Sequence, residues 1–227
     1  MSTTPMFSSD ARVKRIQSRK LASSKWLATA SFLVATVSVV ALHGCAAAKP
    51  MRYYQLSVPK DMAQAESNPS GISLALGPLV ASHLYREDRI VYSSGAEQMG
   101  TYEYQRWTEP PAEMIDEVLL RELRASGHYR EVFSQRSASR TDYVLRGRLY
   151  DFKEVSGDPL QARVTIDWEL HDTKTGSIVW THHYGHDEPV SAKEVPALVT
   201  ALDHNVQSAV NDVKVGLDEY FAKVANK

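Results

Sequence analysis

The stretch Gln161–His171, QARVTIDWELH, alternates apolar and polar residues without interruption. The even-numbered positions carry the apolar side chains, which are Ala162, Val164, Ile166, Trp168 and Leu170. Because successive side chains of a β-strand point to opposite faces, this pattern predicts a strand with one dry face and one wet face. A sheet of that kind needs a second layer packed against its apolar side.

Further strands are predicted on both sides of this stretch. The segment Asp172–Gly176 has turn composition, and Ser177–Tyr184 predicts the returning strand of a hairpin, with Ile178 and Trp180 at alternate positions. Upstream, Asp142–Phe152 predicts a third long strand. Shorter strands are predicted nearer the N-terminus, at Arg52–Leu56, Ile72–Leu76, Arg89–Tyr92 and Met99–Tyr104.

Two segments have helical periodicity instead. One helix is predicted to begin within Trp107–Pro111, because proline is tolerated in a first turn, and to end at Gly127. A longer amphipathic stripe predicts a second helix from Pro196 to about Ala222. The order of elements therefore predicts an α+β fold, an antiparallel sheet with two main helices packed on one face.

The N-terminal region has the pattern of an export signal. Its basic segment, with Lys20 and Lys25, is followed by the uncharged run Trp26–Leu42 and then by His43-Gly44-Cys45. Leu42–Cys45 resembles the lipobox of bacterial lipoproteins. This resemblance implies cleavage before Cys45, an S-diacylglycerol group on its thiol and an N-acyl group, such as palmitate, on its new amine. The alternative is an uncleaved membrane helix over residues 26–48.

These signals divide the chain into three parts. We predict a signal peptide at residues 1–44, a lipidated N-terminal tether at residues 45–51 and a periplasmic domain at residues 52–227. Residue 46 is Ala, not the Asp that retains lipoproteins in the inner membrane of many Gram-negative bacteria. By this analogy we expect a lipid-anchored protein of the outer membrane whose domain faces the periplasm.

The composition and motifs give little indication of chemistry. A net charge of −1 argues against a general nucleic-acid binder, and a single cysteine excludes an intrachain disulfide framework. The sequence has no P-loop, dinucleotide fingerprint, Gly-x-Ser-x-Gly elbow or His-Glu-x-x-His helix. His182-His183-x-x-His186 is the one cluster, but neighbouring strand residues point to opposite faces and share a metal poorly. We predict no catalytic, cofactor or metal site, and no enzyme activity.

Several short motifs, in order, resemble the ABC-type transport auxiliary lipoprotein family. They are Tyr53-Tyr54-x-Leu56, Ile90-Val91-Tyr92, Trp107-Thr108-Glu109-Pro110, Asp142-Tyr143-x-Leu145 and Leu170-x-Asp172-x-x-x-Gly176. The sequence departs from the family where Ser93-Ser94 stands in place of the arginine that often follows the Ile-Val-Tyr motif.

The resemblance implies a non-catalytic auxiliary role in an MCE-type (mammalian-cell-entry) ABC transport system. Such a system moves phospholipid, sterol-like or other hydrophobic molecules across the envelope. The implied partners are an MCE-domain periplasmic protein and the ABC permease and ATPase, for which this lipoprotein would be a docking or assembly element. The alternative is an outer-membrane assembly lipoprotein for lipopolysaccharide export or secretion, unrelated to MCE transport. A further alternative is that the protein assembles into a homo-oligomer.

The candidate interaction surface consists of tyrosines outside the strongly periodic elements. Tyr85, Tyr92, Tyr102 and Tyr104 belong to the region 72–104. Tyrosine suits interfaces because it joins a large apolar ring to a polar tip. The alternative is that these rings complete the hydrophobic core.

Overall fold

The computed structural model describes residues 49–58, 70–95, 97–134 and 140–226. The predicted signal peptide and Cys45 lie outside the described residues. Neither helix of the described ranges is long and apolar enough to cross a membrane.

The described chain folds into nine strands and two helices, which confirms the α+β class. The helices are α1 (Pro111–Ala125) and α2 (Val195–Ala225), and a 3₁₀ turn covers His83–Tyr85. Gly127 adopts a φ of 67° just beyond α1, a left-handed conformation that favours glycine after a helix. The strands are β1 (Arg52–Tyr54), β2 (Ser70–Leu76), β3 (Val80–Ala81), β4 (Arg89–Ser93), β5 (Met99–Trp107), β6 (Tyr129–Ser134), β7 (Tyr143–Val155), β8 (Gln161–Asp172) and β9 (Ile178–Pro189).

The long strand β7 occupies the centre of the sheet. One of its edges pairs with β8 along nearly the whole strand. The other edge pairs in succession with β2 at Tyr143–Leu145, with β3 at Arg148 and Leu149, and with β4 at residues 153–155. The outer members of the sheet are β1 beside β5, β6 beside β2, and β9 beside β8.

The sheet is mixed, whereas the sequence predicted antiparallel pairing. The pairs β4–β5, β7–β8 and β8–β9 are antiparallel. The pairs β1–β5, β2–β6, β2–β7, β3–β7 and β4–β7 are parallel. The physical reason is that β2, β3 and β4 reach β7 through crossovers and not through hairpins, and residue alternation carries no information on strand direction.

The apolar face of β8 lies in the hydrophobic core, as predicted. Trp168 is 2% exposed, and Ala162, Val164, Ile166 and Leu170 are fully buried. Gly147 pairs with Trp168 across β7 and β8. A Cβ atom at Gly147 would lie 2.9 Å from Trp168 Cδ1 and 2.6 Å from Leu79 Cδ1, so the indole ring needs glycine at this position.

Trp168→Ala should lower the free energy of unfolding by about 3–5 kcal/mol, because it removes a large buried ring and leaves a cavity. Chemical denaturation measures this loss. The control is Glu169→Ala, on the exposed face of the same strand, which should change stability by no more than about 0.5 kcal/mol. Equal effects of the two substitutions would contradict the assignment of faces.

A buried asparagine joins α2 to the sheet. Asn205 is fully buried, and its Nδ2 donates hydrogen bonds to the carbonyl oxygens of Ala162 on β8 and His186 on β9, each at 3.0 Å. The hydroxyl of Tyr184 donates to Asn205 Oδ1 at 2.7 Å. One side chain therefore satisfies polar groups of both β8 and β9 beneath the helix, and it fixes the register of α2 on the sheet.

Asn205→Leu should destabilise the fold, although leucine is apolar and of similar size. The substitution leaves two carbonyls and one hydroxyl without this partner, and each buried polar group that loses its partner costs about 1–3 kcal/mol. Thermal unfolding is the measurement, with Asn211→Leu at an exposed position of the same helix as the control. A melting temperature equal to that of the control variant would refute the role of Asn205.

Candidate functional site

The described chain enters the domain through β1 and the segment behind it. Strand β1 pairs in parallel with residues 105–107 of β5. After the buried side chain of Leu56, the N–H of Ser57 donates to Asp203 Oδ1 at 2.9 Å, and Gln207 Nε2 donates to the Ser57 carbonyl at 2.8 Å. Asp203 and Gln207 lie one turn apart on α2. The entry segment is thus bound to both the sheet and the long helix, close to the predicted tether.

Two of the predicted surface tyrosines form a polar cluster with a buried carboxylate. The rings of Tyr92 and Tyr102 meet edge to face, with centroids 5.3 Å apart. The Tyr102 hydroxyl donates to Glu154 Oε2 at 2.5 Å, and Glu154 is only 7% exposed. Burial and the hydrogen bond to Glu154 raise the pKa of Tyr102 above its usual value, so this hydroxyl stays protonated.

The cluster also depends on a glycine. The Tyr92 ring covers Gly100 so closely that a Cβ atom there would lie 2.5 Å from the ring carbon Cζ. The rings are therefore held in a fixed orientation on β4 and β5. They remain partly exposed.

The structure places the four predicted tyrosines in two different environments. Tyr85 is 1% exposed, so its assignment to an interaction surface is wrong. It ends the 3₁₀ turn between β3 and β4, where its ring packs into the core. Tyr92, Tyr102 and Tyr104 are partly exposed, and Tyr104 lies two residues beyond Tyr102 on β5. A hydrogen bond to the neighbouring Glu103 raises the pKa of Tyr104 above its ordinary value. We call Tyr92, Tyr102 and Tyr104 the tyrosine face.

The histidines of β9 are separated as the strand alternation predicts. His182 stacks on Trp180, with ring centroids 5.5 Å apart and an interplanar angle of 2°. His183 instead hydrogen-bonds through Nδ1 to Asp167 at 2.6 Å. Within the described ranges, no group of three or more His, Cys, Asp or Glu side chains is arranged to hold a metal ion.

Open clefts border both helices, including one beside α1 and one beside α2. One, of about 490 Å³, lies between the end of β2 and α1 and is lined by the carboxylates of Glu113, Asp116 and Glu117. Asp116 Oδ2 accepts a hydrogen bond from the backbone N–H of Leu79 at 3.0 Å, so this carboxylate joins α1 to the segment after β2. The other, of about 580 Å³, lies between β9 and α2 beside Trp180 and His182. Both are open, and their walls combine charged with apolar side chains.

These features describe an α+β domain with partly exposed aromatic and charged surfaces. The ABC-type transport auxiliary lipoprotein component family matches residues 54–214. The chain belongs to this family. Its shared description is an auxiliary lipoprotein component of ABC-type transport, which was predicted from the sequence motifs.

Solved structures share the fold. A crystal structure of a Xanthomonas campestris protein of the family designated DUF330 superposes with a TM-score of 0.66 at 16% identity, covering 78% of this chain and all of that one. An uncharacterised protein superposes with a TM-score of 0.58 at 14% identity, covering 73% of this chain and 97% of the other. No curated protein matches this chain significantly.

His204 should titrate above 6.5, the ordinary value for histidine, because its Nδ1 is hydrogen-bonded to Glu188 Oε2 at 2.8 Å. This pair favours the imidazolium form in the folded state, so its stabilising effect is present at low pH and is lost as the pH rises through the raised pKa.

NMR titration of the His204 ring measures the pKa. Glu188→Gln should lower it, and Glu219→Gln, farther along α2, should leave it unchanged. A pKa at or below 6.5 in the unsubstituted protein would contradict the pairing.

Proposed function

We propose that this protein is a lipid-anchored, non-catalytic auxiliary component of an MCE-type ABC transport system, acting as a docking or assembly element. The observation that carries the proposal is the family match over residues 54–214, which covers nearly all of the folded domain. The system moves phospholipid, sterol-like or other hydrophobic molecules across the cell envelope. An MCE-domain protein and the ABC permease and ATPase are the partners.

The anchor is the acylated Cys45. Its thiol carries diacylglycerol and its amine an acyl chain, as the Leu42–Cys45 motif implies. Each buried CH₂ contributes about 0.8 kcal/mol, so several acyl chains hold a domain of this size durably at a membrane. The domain then faces the periplasm from the outer membrane. The attachment of Ser57 to Asp203 and Gln207 supports this arrangement, because it fixes the chain that follows the tether.

The walls of the clefts favour contact with a protein over storage of a lipid. A chamber for acyl chains is enclosed and lined mainly by apolar side chains, whereas the cleft beside α1 is open and carries three carboxylates, those of Glu113, Asp116 and Glu117, beside its apolar residues. The apolar residues of β8 are instead buried in the core, where the strand packs against α2. The protein therefore contributes through its surface, and its partners carry the cargo.

The tyrosine face is the proposed contact surface. Tyr92 and Tyr102 are held in place by Glu154 and by each other, so little side-chain entropy is lost when a partner covers them. Tyr104 extends the same face along β5. Ordered tyrosines that combine an apolar ring with a hydroxyl group are typical of interface centres.

Photo-crosslinking in intact cells tests this proposal. A photoreactive phenylalanine analogue at position 104 should capture the MCE-domain protein or a permease component encoded beside this gene. The matched control is the same analogue at position 150, because Tyr150 is 49% exposed on β7. It should capture the partner several-fold less.

Two outcomes would overturn the assignment. Capture of lipopolysaccharide-export or secretion components at position 104 would favour the outer-membrane assembly role. Equal capture of an MCE component at positions 104 and 150 would retain the transport role but reject the tyrosine face.

A further inference from the structure

Strand β1 and the residue before it expose an unusual combination of side chains at the edge of the sheet. Met51 is 43% exposed and Tyr53 is 60% exposed, and Arg52 between them is exposed as well. The described residues contain eight large hydrophobic side chains with such exposure, and these two belong to one three-residue stretch. Within the described residues, Arg52 forms no ion pair, whereas Arg89 on β4 and Arg106 on β5 face Glu87 and Asp88.

The position of β1 in the sheet explains why these groups are accessible. β1 is one of the outer strands of the sheet and pairs only with β5. Side chains on both faces of an edge strand can reach a surface that approaches the strand edge-on. Met51 and Tyr53 would present apolar area to that surface, and Arg52 a guanidinium on a flexible stem.

The length of the tether determines which surface can approach. Six residue steps separate Cys45 from Met51, so even a fully extended chain spans about 20 Å. The acyl chains place Cys45 at the boundary of the hydrocarbon, and the headgroup layer that the tether must cross is about 5–8 Å thick. Met51, the residue before β1, therefore lies no more than about 20 Å of chain from Cys45, within reach of the headgroups.

We propose that Met51, Arg52 and Tyr53 form a membrane-contact surface that seats the edge of the sheet on the phospholipid headgroups. The inference rests on the acylated anchor of the proposed function and extends it from tethering to orientation. Tyr53 places its ring at the interface, where aromatic side chains combine apolar and polar contacts. Arg52 binds lipid phosphates, for which guanidinium is suited. Met51 adds apolar contact.

Fixing the edge of the sheet also fixes the rest of the domain. The segment behind β1 is bonded to Asp203 and Gln207 of α2, and β1 is paired to β5, which carries Tyr102 and Tyr104. A seated β1 would thus hold the tyrosine face at a defined distance and angle from the membrane, where a membrane-bound partner can meet it.

A nitroxide label at position 51 tests the surface in the mature lipoprotein, reconstituted into vesicles of phosphatidylglycerol and phosphatidylethanolamine. Cys45 is the only cysteine and its thiol is consumed by acylation, so Met51→Cys supplies one free thiol. The rate at which the nitroxide collides with oxygen, which partitions into lipid, is compared with its collision rate with a water-soluble nickel chelate. The matched control is Ile178→Cys, at a position 50% exposed in the hairpin.

The label at position 51 should show an oxygen-to-nickel accessibility ratio several-fold higher than the label at position 178. Adding Arg52→Gln and Tyr53→Ser to Met51→Cys should bring that ratio down towards the control value, because a tether alone does not seat the strand. Equal ratios at positions 51 and 178, or no effect of the two added substitutions, would overturn the proposal.

Other outcomes separate this inference from the proposed function. Protection of position 51 from both reagents would show that a protein, and not lipid, covers β1, and would overturn the membrane contact. An intact mass that lacks the acyl groups would overturn the anchor and this surface together. A seated β1 with no capture of an MCE or permease component would leave this surface standing while the transport role failed.

Discussion

Strand β7 holds the sheet together because both of its edges are used along nearly their whole length. β8 occupies one edge, and β2, β3 and β4 share the other in succession. Three short strands that would be marginal alone thus receive their hydrogen-bond partners from one continuous strand. The hairpin partners β8 and β9 then supply the apolar surface on which α2 lies, and Asn205 fixes that helix in register.

The elements that the sequence predicts well are those whose own residues specify them. The alternation in β8 is strict enough to predict both the strand and the burial of Trp168. The elements that the sequence does not predict depend on pairing with strands that are distant along the chain. β3 has two residues and exists because of its pairing with β7, and β6 is a short strand paired with β2. Parallel pairing has no local pattern, so the mixed character of the sheet emerges only in three dimensions.

The tyrosines of the candidate site also show that local sequence does not predict contacts between distant residues. Composition marks Tyr85, Tyr92, Tyr102 and Tyr104 as a group, but a single 3₁₀ turn directs Tyr85 into the core. The contact between Tyr102 and Glu154 joins residues 52 positions apart, and no local motif predicts it. The prediction at Leu42–Cys45 is different, since a lipobox is defined as a linear segment and no fold is needed to interpret it.

Family membership and the architecture support a common account, in which a rigid domain links an anchor to a partner. The chain after the predicted tether is bonded to the sheet and to α2, and two residues of the tyrosine face, Tyr102 and Tyr104, lie on the strand that pairs with β1. The most direct measurement of this account is mass spectrometry of the N-terminal peptide of the membrane-extracted protein. The account predicts a peptide that begins at Cys45 and carries the diacylglycerol and the N-linked acyl chain. A peptide in which an unmodified Cys45 follows His43-Gly44 would contradict it.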